Sequence, residues 1–294
     1  MTTPPTEHIP VLSSEVLEIL APSPGQTFVD GTAGGGGHLL AMAARLTPNG
    51  LAIGVDRDPA AIERLEGIEN ELPVRFACSS YARIPDLLSE LDIKGVDSIL
   101  LDLGLSSDQL AGIDRGFSFN VDGPLDLRFN PQAGEPAWRM ISRMSAEHLA
   151  NLIYEFGEER QSRRIARAIV AAREREPIRS SQQLAQIIRK SMGSRSRNER
   201  IDPATRTFQA LRIAVNDELK ELDAALKVLP DCLLPGGLLA IISFHSLEDR
   251  RVKQSFRNDS RLDVVTRKPI RPTETEVAHN SRSRSAKLRV ARRT

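Results

Sequence analysis

The sequence predicts a doubly wound α/β sheet interrupted by a mainly helical insert. Short apolar strands alternate with amphipathic helices from Gln26 to Leu103. That rhythm stops after Leu103 and resumes at Gly237. One strand also runs straight into a glycine cluster that opens a helix, the arrangement a nucleotide-type ligand needs.

In order, Gln26–Asp30 reads as a strand ending in an acid, Gly37–Leu46 as a helix and Leu51–Asp56 as a strand. Pro59–Leu65 follows as a helix, Val74–Cys78 as a strand, Ile84–Leu91 as a helix and Val96–Leu103 as a buried strand. Short connections between such elements predict a parallel sheet covered on both faces. Gly104–Arg128 is rich in Gly, Ser, Asp and Phe and reads as a long ordered loop. Ser145 to about Ser191 is helical in pattern, and 191–200 is polar and loop-like. Thr207–Leu229 reads as one long amphipathic helix. Gly237–Ser243, Leu262–Thr266 and Lys287–Ala291 then read as strands, with a helix over Leu247–Phe256. The division is 1–108 with 210–294 for the α/β domain and 109–209 for the insert.

Hydrophobic residues make up 40% and charged residues 27%, which excludes a disordered chain. Net charge is +1, so a global basic charge does not point to nucleic acid. Arginines nevertheless gather at Arg160–Arg175, Arg195–Arg200 and Arg282–Arg293, either as phosphate contacts or as solvated helix faces. The two cysteines, Cys78 and Cys232, form no CxxC pair, so a reduced cytoplasmic protein without a structural metal is expected. The N-terminus lacks a signal-peptide pattern, and no apolar run is long enough to span a bilayer.

The stretch from Asp30 to Gly37 holds the first chemistry. A P-loop needs Lys-Ser/Thr after its last glycine, and His38-Leu39 stands there instead. A GxGxxG dinucleotide fingerprint fits poorly. Asp30 before the glycines and Asp56 after the next strand fit S-adenosylmethionine better, with Asp56 set to accept from ribose hydroxyls. Thr32 and His38 read equally as capping residues.

Further motifs add specificity. HIPVL at 8–12, DGTAGGGGH at 30–38, GVDRDPAA at 54–61, LLDLGLSSDQL at 100–110, RGFSF at 115–119 and GPLDLR at 123–128 occur in that order. YEFGEER at 154–160, PATRTFQALRIAVNDEL at 203–219, SFHSLEDR at 243–250 and NSRSRSAKLRV at 280–290 follow. With these, nearly the whole chain resembles the bacterial ribosomal RNA small-subunit methyltransferase H family. Departures are Asp202 where the family has His, Leu127 and Phe129 in place of methionines, Tyr81 in place of Phe, and a shorter segment before 280.

The resemblance implies a Rossmann-like class I methyltransferase sheet with an inserted substrate-recognition domain. It implies methylation of a cytosine N4 amine in the decoding region of 16S ribosomal RNA, with S-adenosylmethionine as donor. The RNA partner would be met within a small-subunit particle, without any membrane, by a chain that relatives suggest can form a homodimer. Cofactor contacts carry over to Gly36, Gly37, His38, Asp56, Tyr81, Asp102 and Gln109.

Catalysis is expected at Asp102, with Ser243 and His245 beside it after the fifth strand. Asp102 is either a catalytic acceptor or a pure cofactor contact. His245 either takes the amine proton or makes a structural hydrogen bond. Neither cysteine has the setting for covalent attack on the base, so transfer is direct. RNA contacts are expected from Arg115, Phe117, Arg206, Arg212 and Arg284 in the Arg282–Arg292 tail. Phe117, Phe119 and Phe244 either stack on a flipped base or pack in the interior. Arg160, Arg163 and Arg164 pair with Glu155, Glu158 and Glu159 if that helix is simply solvated. Methylation of another substrate, RNA binding without turnover, and nicotinamide-dependent reduction stand as rivals.

Overall fold

A computed structural model describes residues 10–68, 71–193 and 202–294. The Arg195–Arg200 cluster lies outside the described residues, as do the first two residues of the HIPVL motif.

The chain divides into two compact units, Met1–Ser106 with Leu219–Thr294, and Ser107–Glu218. The expectation drew the insert at 109–209. Its C-terminal border lies later because the helix Ala204–Asn216 packs with Ala146–Gly157 inside the second unit.

The first unit holds β1 (Thr27–Asp30), β2 (Leu51–Asp56), β3 (Val74–Cys78), β4 (Val96–Asp102), β5 (Leu233–Ser243), β6 (Leu262–Val264) and β7 (Lys287–Arg293). Among the described residues they form one seven-stranded sheet in the order β3-β2-β1-β4-β5-β7-β6. The first five run parallel. β7 runs antiparallel to both β5 and β6, beyond the strands for which a parallel arrangement is expected. The chain returns through Ile270, bridged to Leu288, and enters the sheet from the opposite end.

Alternating side chains cover both faces, as period-two strands require. Val29, Ile53, Ile99, Leu101 and Ile241 pack under α4 (Ile84–Glu90), α11 (Glu218–Cys232) and α12 (Ser246–Asn258). Phe28, Ala52, Leu100, Ala240 and Ile242 pack under α1 (Ser13–Leu20), α2 (Gly37–Leu46) and α3 (Pro59–Leu65). Helices α1 and α13 (Glu274–His279) carried no expectation. They are tied together by Leu12 N–H, which donates to Glu276 Oε1 at 2.8 Å.

The second unit contains α5 (Ser107–Ala111), α6 (Ala137–Arg143), α7 (Ala146–Gly157), α8 (Ser162–Arg173), α9 (Ser181–Met192) and α10 (Ala204–Asn216). Its interior is built from Leu149, Ile153, Ile165, Ile169, Leu184, Ile188 and Leu211. Helix α5 lies within the stretch expected to be loop throughout. The single helix expected over Thr207–Leu229 is two helices, broken at Asp217, whose φ is 50°. Buried Asn216 stabilises the break: its amide donates to Leu127 O at 2.7 Å and Arg212 O at 2.9 Å, and its oxygen accepts from Phe129 N–H at 2.8 Å.

Candidate functional site

The order β3-β2-β1-β4 places the topological switch point between β1 and β4, where open α/β sheets bind ligands at the carboxyl ends. Three strands that meet there, β2, β1 and β4, each end in aspartate: Asp56, Asp30 and Asp102. Asp30 pairs in register with Gly54 and Leu100. Asp56 and Asp102 therefore stand one pleat period further along on either side of it, and strand alternation puts all three on the sheet face that α2 covers.

The glycine loop is pinned to these ends. Gly31 N–H donates to Leu100 O at 2.9 Å, Ala33 N–H to Val55 O at 2.9 Å and Gly34 N–H to Asp56 Oδ2 at 2.8 Å. Gly36 caps α2 with φ 82°, and a Cβ there would lie 2.7 Å from Leu65 Cδ2, so both conformation and space demand glycine. Gly37 begins α2 and His38 is buried on its first turn, with Nε2 3.7 Å from Asp102 Oδ2. Tyr81 sits on a short 3-10 turn, Tyr81–Arg83, and its stem packs where a side chain on Gly31 would go.

Asp56 accepts from Gly34 N–H with one oxygen and from Asp58 N–H, also at 2.8 Å, with the other. The Arg57 backbone N–H also hydrogen-bonds this carboxylate, which leaves one of its four lone pairs for a ligand hydroxyl. Asp30 Oδ1 accepts from Thr32 N–H at 3.0 Å and from the Thr32 hydroxyl at 3.3 Å. Asp102 Oδ1 is buried and has no hydrogen-bond partner among the described residues. Burial raises all three carboxyls: Asp30 to about 7, Asp56 above the usual range, and Asp102 well above it, with Asp30 and Glu248 adding repulsion.

This donor set fits the S-adenosylmethionine expectation. A diphosphate would meet Asp30 and Asp102 and be repelled, whereas a sulfonium and an ammonium would relieve the clustered negative charge.

Ser243, the last residue of β5, is buried and its hydroxyl reaches Lys287 O at 3.5 Å. His245 is the N-cap of α12. Its Nδ1 accepts from Glu248 N–H at 3.4 Å, and its Nε2 lies 3.1 Å from Glu248 Oε1, off hydrogen-bond alignment. The cap occupies the lone pair that a proton acceptor would use. Glu248, which carried no expectation, is buried and accepts from Phe244 N–H at 2.9 Å and His245 N–H at 3.3 Å. Its only sequence signal was the three-residue spacing from His245, a capping-box spacing with an unusual cap residue.

The residues expected to meet RNA are placed variously. Arg115 donates to Phe129 O at 2.8 Å, and buried Phe117 stacks on Phe129 with centroids 5.8 Å apart, so that ring is interior packing of the second unit. Phe119 packs on Phe208, and Phe244 lies against Gly104. Arg212 forms a largely buried fork with Glu218 at 2.8 and 3.0 Å and is committed to holding the α10–α11 junction. Arg206 is half exposed, 3.7 Å from Glu159. That carboxylate thus pairs across to α10. Arg284 is exposed, whereas Arg289 of the same tail is buried on Asp249 at 2.7 Å. Gln109 is buried on α5 in the second unit. Asp202, to which no role was assigned, pairs with Arg189 and accepts from Ala204 N–H at 2.8 Å, tying α9 to the start of α10.

A cavity of about 480 Å³ lies at the opposite end of β4, lined by Leu88, Ile93, Lys94, Val228 and Cys232. It is remote from the carboxyl cluster. Burial pushes the Cys232 thiol up to about 11 and raises exposed Cys78 as well, so neither is an activated nucleophile. No helix among the described residues is long and apolar enough to cross a membrane.

The strand order, the reversed seventh strand and the aspartate-flanked glycine loop define a methyltransferase of the doubly wound class. The chain belongs to the MraW methylase family, whose model matches residues 5–294. It is 49% identical over 299 residues to the ribosomal RNA small subunit methyltransferase H of Rhodopirellula baltica, covering 98% of this chain and 92% of that one. With the protein of the same name from Thermomicrobium roseum, identity is 46% over 308 residues, covering 98% and 94%. Likeness to solved structures is remote. An rRNA methylase from Streptococcus thermophilus aligns with a TM-score of 0.45 at 9% identity over 95% of this chain and 94% of that one, so the fold class rests on the strand order.

Proposed function

We propose that the protein methylates the N4 amine of a cytidine in 16S ribosomal RNA of the small subunit, using S-adenosylmethionine, by direct transfer without an enzyme–base adduct. The observation that carries this reading is Asp102, a buried carboxyl at the switch point whose Oδ1 has no hydrogen-bond partner among the described residues. The names of relatives at 46% and 49% identity support the choice of RNA.

When bound, the donor supplies a methyl group already activated by its sulfonium. Gly36 and Gly37 let the backbone approach it, and the remaining lone pair of Asp56 accepts from its ribose. The Tyr81 ring is available to adenine, and His38 completes its contacts. Asp102 accepts a hydrogen of the target amine. Holding that hydrogen turns the nitrogen lone pair out of conjugation with the ring and toward the methyl group. With the donor bound, its sulfonium would release the methyl group to the amine nitrogen, and Asp102 would take the amine proton. A carboxylate that burial has made more basic is suited to this, since proton-transfer efficiency follows basicity.

Ser243 and His245 hold the turn after β5 beside this group. The RNA is drawn in by exposed cations, Arg206 and Arg284 among them. Two cysteines with unactivated thiols suit both direct transfer and a reducing cytoplasm.

The experiment is transfer of label from tritiated S-adenosylmethionine to undermethylated small-subunit particles and to their naked RNA. Label should enter small-subunit RNA, preferentially in particles, and not large-subunit RNA. Equal labelling of both subunits' RNA, or none of either, refutes the proposal.

A further inference from the structure

The second unit carries a plate of aromatic and cationic side chains that none of the roles above uses. Arg179 Cζ lies 3.5 Å from the centroid of the Trp138 ring, and Arg139 Cζ lies 5.2 Å from it. Both arginines are exposed and the tryptophan is half-buried. Their neighbours Arg128 and Arg143 are paired with Asp126 and Glu135. Among the described residues, Arg139 and Arg179 meet no carboxylate.

The plate is held rigidly from behind. Buried Leu125 donates its N–H to Arg179 O at 2.8 Å and accepts from Trp138 N–H at 2.9 Å. Arg179 N–H also donates to Gln183 Oε1 at 3.0 Å. Stacking occupies the flat face of a guanidinium but leaves its in-plane N–H donors pointing outward, and it reduces the side-chain freedom lost on binding. Lys190 apart, the basic residues of this unit are arginines, the cation suited to two-point contact with phosphate oxygens.

We infer that Trp138, Arg139 and Arg179 form a phosphate-gripping surface for the backbone of the substrate RNA. An exposed pair of unneutralised guanidinium groups fits a run of phosphates better than an enclosed small molecule. The inference rests on the reading of ribosomal RNA as substrate. The plate positions the RNA and takes no part in the chemistry.

The chain has a single tryptophan, so its emission reports directly on this surface. Titration of the full chain with small-subunit RNA should change Trp138 emission saturably. Arg139→Gln with Arg179→Gln should weaken RNA affinity about tenfold or more. It should also lower the slope of log affinity against log salt by about 0.7–0.9 for each arginine. The KM for RNA should rise with kcat and S-adenosylmethionine affinity unchanged. Arg139→Gln alone, at an exposed side chain, should show about half the slope change and serves if the double variant does not fold. Variants with wild-type affinity and salt slope, or unchanged emission at saturating RNA, overturn the inference while leaving the methyl-transfer reading intact. A wild-type chain that neither binds nor labels RNA overturns both.

Discussion

The backbone N–H of Asp102 donates to the Thr32 hydroxyl at 2.6 Å, joining the carboxyl ends of β4 and β1 beyond the last rung of their ladder. The same hydroxyl donates to Asp30 Oδ1 at 3.3 Å. One side chain thus sets the spacing of the two carboxyls that flank the switch point, using the single proton and a lone pair of a hydroxyl. Thr32→Val should lower the single-turnover methyl-transfer rate by on the order of tenfold, the scale of one or two displaced hydrogen bonds. Thr32→Ser should restore most of it. Equal loss in both variants would assign Thr32 to packing instead.

Asp102 itself should matter more. Asp102→Ala is expected to reduce the single-turnover rate at saturating donor by about 10²–10⁴, the range for a lost proton acceptor. Calorimetry of donor binding separates the alternatives. A large loss of donor affinity with a normal rate at saturation would make Asp102 a cofactor contact only.

The Asp30 carboxyl should make stability depend on pH. Its pKa is raised from 3.8 to about 7 by burial. Below both values the folded and unfolded chains hold the proton alike. Between them the unfolded chain releases it first, so stability falls as pH rises and levels off above about 7. The cost is on the order of 2–4 kcal/mol. Asp30→Asn keeps an acceptor for Thr32 and removes this term. Thermal unfolding should find the variant gaining on wild type between pH 4 and pH 8, by about 4–16 °C in Tm if the whole cost is relieved. A difference that does not change with pH would contradict the assignment.

Gly31 is required by space. An added Cβ would collide with the Leu101 side chain and stand 2.9 Å from Tyr81 Cβ. Gly31→Ala should destabilise the protein by about 1–3 kcal/mol, the range for overpacking a close interior. Denaturant titration measures this. Weaker donor binding should accompany it, because Tyr81 is displaced.

Much of this architecture was legible in the sequence because the early strands are apolar runs that stop at aspartate or glycine. Asp30, Asp56 and Asp102 mark the ligand end of the sheet in the sequence itself. Strand direction was not legible: nothing local in Lys287–Arg293 encodes that it runs against its neighbours. Helices α1 and α13 are short and rest on tertiary contacts such as Leu12 with Glu276. The break at Asp217 lay hidden in a continuous apolar periodicity, although an Asn-Asp pair tolerates the left-handed conformation found there. Arg212 read as an RNA contact because its partner Glu218 is six residues away, outside helical spacing, and meets it only across the break.

The most direct measurement is the identity of the methylated nucleoside. Undermethylated small-subunit particles are incubated with the protein and S-adenosylmethionine, and the RNA is digested and resolved by mass spectrometry. The expected product is cytidine carrying one methyl on its exocyclic amine, absent from the Asp102→Ala reaction. A methyl on the ring carbon of cytosine or on any other nucleoside would contradict the account.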